Sequence, residues 1–314
     1  MDKNQKREKF GLWFRRFLLI LIIGIWVWKI VEADRIKIPT VSHGTLERFP
    51  KFTSQFVPSR DVAVWLPEGY KRGDSCDVLY MHDGNMLYDA TTTWNKQEWR
   101  VDEVMDSLIQ AGRIRPCIVV GIYNTDKRLT EYFPDKSIQY VPEADRKKAT
   151  QVVQDGDAYL KFIVKELKPF IDERYKPLTS REHTMMMGSS MGGLISLYAL
   201  CEYPQVFGGV ACLSTHLSMS HLSDDIDDET LATGFLDYVA QHLPETNGSL
   251  IYMDHGTKDF DADYGKYQTL LDNVIKAKGW DEEHYKSLVF NGHGHNETCW
   301  ALRLDQPLLF LLGK

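Results

Sequence analysis

The stretch HTMMMGSSMGG, residues 183–193, decides the fold. An apolar run leads into a segment that fits the pattern G-x-S-x-G, with Gly188 and Gly192 on either side of Ser190, and a helical pattern begins directly after it. A serine held on a sharp turn between a strand and a helix needs small neighbours. It presents its Oγ at the helix N-terminus, where the helix dipole favours developing negative charge. We therefore predict Ser190 as a nucleophile and Ser189 as its structural neighbour.

Strand-like and helical segments alternate on both sides of this turn. Short apolar runs typical of strands lie at 62–66, 78–81, 118–122, 183–187, 209–213, 250–253 and 288–290. Helical periodicity marks residues 101–111, 159–174, 192–202, 231–242, 264–278 and 297–312. Short apolar strands that alternate with helices indicate an α/β fold with a mostly parallel central sheet and helices on both faces. We predict one such domain over residues 35–314, with long insertions at 124–156 and 217–230 as walls of a ligand site.

A serine nucleophile needs a general base, and the base needs a carboxylate that orients it. In folds that use this turn, the chain order is serine, acid, histidine. The glycine-rich loop NGHGHNE at residues 291–297 follows the last predicted strand and precedes a helix. His295 stands at the start of that helix, so it is the expected base in preference to His293.

Three aspartates after the strand at 250–253 are candidates for the orienting carboxylate: Asp259 is preferred, Asp261 is the main rival and Asp254 is third. The alternating aspartates resemble a calcium loop, but Gly265 comes one position late and Leu270 replaces the bidentate glutamate. Neither a calcium site nor another metal site is expected here.

Two backbone N–H groups should face the oxyanion that forms during acyl transfer. One belongs to the residue after the nucleophile, Met191. The other is expected from Asn85, in the loop HDGN at residues 82–85, because Gly84 permits a tight turn that aims the next amide inward.

The composition indicates a globular domain. Of 314 residues, 43% are hydrophobic and 26% are charged, which excludes a disordered or collagen-like chain. The net charge of −7 is uneven, because residues 1–34 carry +3 and the remainder carries −10. An acidic body without a basic stripe argues against nucleic acid as a partner. The five cysteines lack metal-site spacing and are expected to be buried free thiols.

The N-terminal segment is typical of targeting. Six basic residues precede an unbroken run of twelve apolar residues, Phe17 to Trp28. Trp26 and Trp28 stand where an interfacial aromatic belt would lie, and no clear Ala-x-Ala cleavage site follows. We expect residues 1–34 to be a retained signal-anchor, or otherwise a cleaved signal peptide. By the positive-inside rule, the catalytic domain would lie outside the cytoplasm.

Four motifs together resemble one known family. YMHDGNMLYD at residues 80–89, GSSMGG at 188–193, HGTKD at 255–259 and HNETCW at 295–300 are similar to the esterase D-type, enterochelin esterase-like branch of the α/β-hydrolases. The resemblance covers about residues 44–312. It implies Ser190 as nucleophile, Asp259 as acid and His295 as base, with oxyanion amides at Met191 and Asn85.

The resemblance also implies a serine esterase without a cofactor, but it does not fix the substrate, because members of the family act on different acyl groups. The expected export and the aromatic residues favour a small-molecule or carbohydrate-linked ester, of acetyl or feruloyl type. Trp94, Trp99, Tyr123 and Tyr132 are candidates for stacking on a sugar or phenolic ring. The sequence leaves three further functions open: an acyltransferase that uses the same residues, an inactive binding module, and a serine peptidase of the same fold. Because the base must be neutral, activity is expected to fall below about pH 6.5.

Overall fold

The computed structural model of the protein describes residues 38–149, 154–219 and 228–314, and eight strands within them form one sheet. In chain order the strands β1 to β8 are Thr45–Phe52, Arg60–Leu66, Asp77–Met81, Cys117–Ile122, Thr184–Ser189, Gly209–Leu213, Leu250–Gly256 and Tyr285–Phe290. Their order across the sheet is β1-β2-β4-β3-β5-β6-β7-β8. The β1–β2 and β2–β4 pairs are antiparallel, and every pair from β4 to β8 is parallel. The prediction of a mostly parallel α/β sheet is confirmed.

Helices and short turns of helix connect the strands. The described α-helices α1 to α10 are Val101–Gln110, Arg128–Glu131, Glu143–Ala149, Gly156–Phe162, Lys168–Tyr175, Met191–Glu202, Asp228–His242, Tyr264–Ala277, Glu297–Ala301 and Asp305–Leu312. A π-helical turn, Ile163–Leu167, joins α4 to α5. Single 3₁₀ segments lie at Gly84–Met86, Asp135–Tyr140, Arg181–His183 and Asp259–Asp263.

The sheet buries both of its faces. Along β2, Val62 and Val64 join one hydrophobic cluster, while Ala63 and Trp65 join the other. Successive side chains of a strand point to opposite faces, so this division follows from the strand itself. The first cluster is completed by residues of α4, α6, α7 and α8, and the second by residues of α1, α9 and α10. Helices therefore cover both faces of the sheet, as the strand composition predicted.

Three details differ from the sequence-based prediction. β1 went unrecognised because it is an edge strand whose residues are mostly half-exposed, which leaves a weak hydrophobic signal. The helix expected over 297–312 is two helices, because Pro307 has no N–H to donate and its ring clashes with the carbonyl four residues earlier. The insertion at 124–156 contains the short helices α2 and α3 rather than bare loop.

The expected signal-anchor over residues 1–34 lies outside the described residues, as does most of the stretch 217–230. No helix in the described ranges is long and apolar enough to cross a membrane. All five cysteines are free, and four of them are buried, as expected.

Candidate active site

Ser190 lies on a strained turn at the carboxyl end of β5. The strand ends at Ser189, α6 begins at Met191, and Ser190 between them has φ 57° and ψ −123°. A positive φ in a residue other than glycine costs about 1–3 kcal/mol and persists only where the surroundings impose it. Here the Ser190 N–H donates to the Leu213 carbonyl at 3.0 Å, and the Ser190 carbonyl accepts from Gly193 N at 3.1 Å. The strand–turn–helix setting predicted for Ser190 is present.

The glycines around Ser190 are required by close backbone contact. A Cβ on Gly188 would lie 2.8 Å from the carbonyl carbon and oxygen of Gly192 and 2.9 Å from a ring carbon of His82. A Cβ on Gly193 would lie 2.5 Å from the Thr215 hydroxyl. The turn can therefore close only because these positions carry no side chain.

His295 is paired with Asp261. Its Nδ1 donates to Asp261 Oδ1 at 2.7 Å, while the second carboxylate oxygen of Asp261 accepts from Gly256 N at 2.6 Å and Ser214 Oγ at 2.5 Å. Asp261 is fully buried. Burial alone would raise the pKa of this carboxyl, but the hydrogen bonds from His295, Ser214 and Gly256 outweigh it and leave the pKa below its ordinary value. The carboxylate thus stays ionised and holds the imidazole with its proton on Nδ1.

Asp259, the preferred candidate from sequence, does not contact His295 and is replaced in that position by Asp261. Asp259 is exposed, has φ 55° and lies beside Gly294. The two aspartates belong to one 3₁₀ segment, Asp259–Asp263, and two residues along such a turn their side chains point in different directions. The sequence spacing could not rank them, since both follow the same strand.

The remaining sequence candidates have separate roles. Asp254 is fully buried and forms an ion pair with Arg303 at 3.0 Å. His293 directs Nδ1 to the Cys299 carbonyl at 3.3 Å, which leaves His295 as the histidine of this loop that meets a carboxylate.

Two buried residues, Arg303 and Ser214, lie next to the Asp261 carboxylate. Neither belongs to a motif that could be recognised from sequence. Arg303 donates to Ser214 Oγ at 2.8 Å and lies 3.8 Å from Asp261 Oδ2. Trp300 Nε1 also donates to Ser214 Oγ, at 3.0 Å. With two donors on its oxygen, the Ser214 hydroxyl has its proton free for Asp261. One buried arginine thus balances two buried carboxylates, Asp254 and Asp261.

Aromatic rings fix the orientation of His295. Trp300, Tyr264 and Phe260 meet the imidazole edge to face, with ring centroids 5.1, 5.5 and 5.8 Å away. The Asn296 side chain caps α9 by accepting from Cys299 N at 3.0 Å, and this sets the start of the helix that carries Trp300. The tryptophan of the HNETCW motif is therefore part of the wall that holds the imidazole.

The segments that carry Asn85 and Met191 meet at the same edge of the sheet. β3 and β5 are parallel neighbours, and the Gly84–Met86 turn follows β3 as Met191 follows β5. Among the described residues, the structure gives neither the Asn85 amide nor the Met191 amide an acceptor. A Cβ on Gly84 would lie 2.5 Å from the backbone of Gly121, so only glycine allows this turn to pack against the neighbouring strand. The expectation that these amides form an oxyanion hole stays a prediction.

Asp83, the residue before this turn, is held by an ion pair with Arg128. Arg128 binds both of its oxygens, at 2.7 and 2.8 Å, and Asn124 donates to Oδ1 at 2.6 Å. Burial raises the pKa of Asp83, but Arg128 outweighs it, so the net pKa is lowered. Both Arg128 and Asn124 come from the insertion at 124–156, which therefore walls the site as predicted.

Ser190 and His295 line one cavity of about 520 Å³. That volume falls in the range typical of small-molecule sites. The cavity is walled by Arg128, Asn124, Asn95 and Glu297 among polar residues and by Trp99 and Trp300 among aromatic ones. Trp94 and Phe260, 82% and 64% exposed, also line it. Of the aromatic residues singled out from sequence, Trp94 and Trp99 line the cavity, whereas Tyr132 is fully buried.

No group of three or more histidine, cysteine, aspartate or glutamate side chains within the described ranges is arranged to hold a metal ion.

Comparison with known proteins places the chain among esterases. The sequence model of the family described as "Putative esterase" matches residues 54–311. The Bacillus subtilis protein YbbA, described as uncharacterized, is 24% identical over 82% of this chain and 94% of its own length. An endo-1,4-beta-xylanase/feruloyl esterase from Xylanibacter ruminicola is 27% identical over 85% of this chain, which spans 31% of that protein.

Solved structures agree on the fold. A ferulic acid esterase superposes with a TM-score of 0.62 at 19% identity, covering 85% of this chain and 98% of that one. The enterobactin esterase FES from Shigella flexneri superposes with a TM-score of 0.61 at 18% identity, covering 87% of this chain and 60% of that one. Both likenesses establish the α/β-hydrolase fold of this chain.

Proposed function

The chain belongs to this esterase family and is a carboxylic ester hydrolase, and we propose that it works through an acyl-enzyme on Ser190 with His295 as base and Asp261 as the orienting acid. The observation that carries the proposal is the meeting of the strained Ser190 turn and the Asp261–His295 pair on the wall of one cavity.

The reaction has two halves. His295 Nε2 takes the hydroxyl proton as Ser190 Oγ attacks the ester carbonyl, and the amides of Met191 and Asn85 stabilise the oxyanion. The C–O bond to the alcohol then breaks, and His295 returns the proton to the leaving oxygen. Water attacks the acyl-enzyme in the second half, gives its proton to His295, and the acid leaves as Ser190 recovers its hydrogen. Asp261 stabilises the imidazolium in both halves without taking a proton itself.

We propose an ester with an aromatic or sugar ring as the substrate, of the carbohydrate-linked acetyl or feruloyl type. Trp94 and Phe260 support this, because two large aromatic side chains exposed at one cavity are suited to stack on a flat ring. The polar groups of Arg128, Asn95 and Glu297 are suited to hydroxyl groups of the same substrate. The names of the feruloyl esterase relative and the ferulic acid esterase structure add support.

Hydrolysis of p-nitrophenyl acetate and of methyl ferulate, by the wild-type chain and by Ser190→Ala, tests the reaction. The mutant should lose at least about 10³-fold in kcat with both esters. Equal rates above background in the two proteins would overturn the proposal, and rates no higher than background in both folded proteins would favour an inactive binding module. Adding an alcohol acceptor and measuring transfer product against free acid separates a hydrolase from an acyltransferase.

The two exposed aromatic residues of the cavity, Trp94 and Phe260, have their own test. Trp94→Ala and Phe260→Ala should each raise KM for methyl ferulate by roughly three- to tenfold and leave KM for ethyl acetate, an ester without a ring, nearly unchanged, since the loss of one stacking contact is worth about 1 kcal/mol. Only KM is compared for Phe260→Ala, because Phe260 also contacts the imidazole of His295 and its loss should lower kcat. Leu302→Ala removes another exposed apolar side chain that does not line this cavity, and should change neither KM. Equal effects on both esters would contradict an aromatic subsite.

We also propose that residues 1–34 anchor the enzyme to a membrane with the catalytic domain outside the cytoplasm. The basic cluster followed by twelve apolar residues supports this placement. In cells, the full chain should sediment with membranes and be cut by protease added from the non-cytoplasmic side. Recovery in the cytosolic fraction would rule it out.

A further inference from the structure

Tyr264 lies beside both Ser190 and His295, and the mechanism above gives it no role. It is the first residue of α8 and is buried. Its hydroxyl lies 2.7 Å from Nδ1 of His216, and it is close enough to the Ser190 side chain for that side chain to act on the pKa of Tyr264. Its ring meets the imidazole of His295 edge to face at 5.5 Å. A third polar group is thus aimed at the nucleophile, besides the base and the backbone amides.

The local chain explains how the two residues reach this place. The 3₁₀ segment that carries Asp261 leads directly into α8, so the acid and Tyr264 are placed by one turn of chain. His216 follows β6, and its own backbone N–H donates to the Ser190 carbonyl at 3.2 Å. The partner that holds the Tyr264 hydroxyl is therefore tied to the backbone of the nucleophile itself.

The direction of these hydrogen bonds follows from counting protons. In the proposed mechanism the single hydroxyl proton of Ser190 goes to His295. A hydrogen bond between the two hydroxyls must then carry the Tyr264 proton toward Ser190 Oγ. Tyr264 Oη is left with lone pairs toward His216, so Nδ1–H of His216 donates to it. Burial and the nearby charge of Asp261 raise the pKa of Tyr264, which keeps this proton on the phenol.

We propose that Tyr264 is a catalytic residue that donates a hydrogen bond to Ser190 Oγ, and that His216 is the residue that positions it. Hydrogen bonds to an ionised oxygen are about twice as strong as those between neutral groups, so the Tyr264 bond strengthens whenever Oγ gains negative charge. Oγ gains charge as the O–H bond breaks during attack, and again as the Oγ–carbonyl bond breaks during release of the acid. The Tyr264 proton stays on Tyr264 in both halves, and His295 carries the transferred proton.

The proposal rests on the serine mechanism above and is tested by Tyr264→Phe, which keeps the ring and its packing. With p-nitrophenyl acetate, stopped-flow rates of acylation and deacylation should both fall, by roughly 10- to 100-fold, while KM changes less than about threefold. A purely structural tyrosine would leave both rates unchanged in the phenylalanine variant. Tyr267→Phe removes a hydroxyl from the same helix, away from the cavity, and is the matched control.

His216 is tested by rescue. His216→Ala should slow both steps by roughly 3- to 30-fold, whereas His216→Asn should recover much of the loss, because its amide N–H can stand where Nδ1–H stood. Thermal unfolding of each variant shows whether it is folded, and Tyr264→Phe alone decides the matter if His216→Ala does not fold.

The outcomes separate the two proposals. If Ser190→Ala is inactive and Tyr264→Phe is within twofold of the wild type, Tyr264 has no catalytic role and the serine mechanism stands. If Ser190→Ala is as active as the wild type, the serine mechanism itself fails, and the role of Tyr264 fails with it.

Discussion

Replacing Asp261 with asparagine should remove most of the activity, whereas the same change at Asp259 should not. Asp261 Oδ2 accepts from both Gly256 N and Ser214 Oγ, so the amide oxygen of an asparagine must stay there. The amide NH₂ group then faces His295 Nδ1 and requires it to be an acceptor. That tautomer carries its proton on Nε2, toward Ser190, and cannot act as the base.

The size of the effect follows from losing the competent tautomer and the charge that stabilises the imidazolium. We expect kcat/KM for p-nitrophenyl acetate to fall by about 10³–10⁴, which is about 4–5.5 kcal/mol in the activation free energy. Asp261→Asn should still fold, because Asp254 keeps Arg303 paired at 3.0 Å. Asp259→Asn, at an exposed position on the same turn, should stay within about threefold of the wild type.

Steady-state kinetics and thermal unfolding of the two variants decide between the acids. A severe loss in Asp259→Asn beside a nearly normal Asp261→Asn would refute the assignment and restore the acid preferred from sequence. Equal, small effects in both would mean that His295 needs no carboxylate partner.

Two of the three further predictions concern residues around the site, and the third concerns Asp102, a buried residue of α1. Gly188→Ala should give little folded protein, because its Cβ would meet the backbone of Gly192 at 2.8 Å. The yield of soluble protein and its esterase activity measure this, and normal values of both would show that the turn can open. Arg128→Met leaves the nearly buried Asp83 without its cation and should lower the free energy of unfolding by about 2–4 kcal/mol. Urea denaturation measures this, and an unchanged midpoint would mean that the ion pair does not stabilise the fold. Burial, with the charge of Glu103, raises the pKa of Asp102 to about 6, so the folded state loses stability as the pH rises from about 4 through 6. Asp102→Asn should lessen that loss between about pH 4 and pH 6 by about 1–3 kcal/mol, and the same pH dependence in both proteins would contradict it.

The fold and the turn that carries Ser190 could be predicted because they leave local signals in the sequence. The Ser190 turn needs glycine where a Cβ would strike backbone, and that need shows directly in the sequence. Buried parallel strands such as β3 to β6 are continuous apolar runs, whereas β1 at the sheet edge is half-exposed and carries no such run.

The partners of His295 could not be predicted, because they depend on how distant segments pack. Asp259 and Asp261 differ only in which side of one turn they occupy. Arg303, Ser214 and Tyr264 come from three different segments, and none belongs to a recognisable motif. Phe260 was likewise missed, because its place at the cavity follows from the orientation of that same turn.

The central claim, that Ser190 is an activated nucleophile, is tested most directly by a fluorophosphonate probe, which reacts with activated serines without regard to the natural ester. Mass spectrometry of peptides from the labelled full-length chain should find one adduct per molecule, on Ser190. The adduct should persist in Ser189→Ala, form far more slowly in His295→Ala, and disappear when the protein is unfolded before labelling. An unlabelled Ser190 in the folded protein, or an adduct on another serine, would contradict the account.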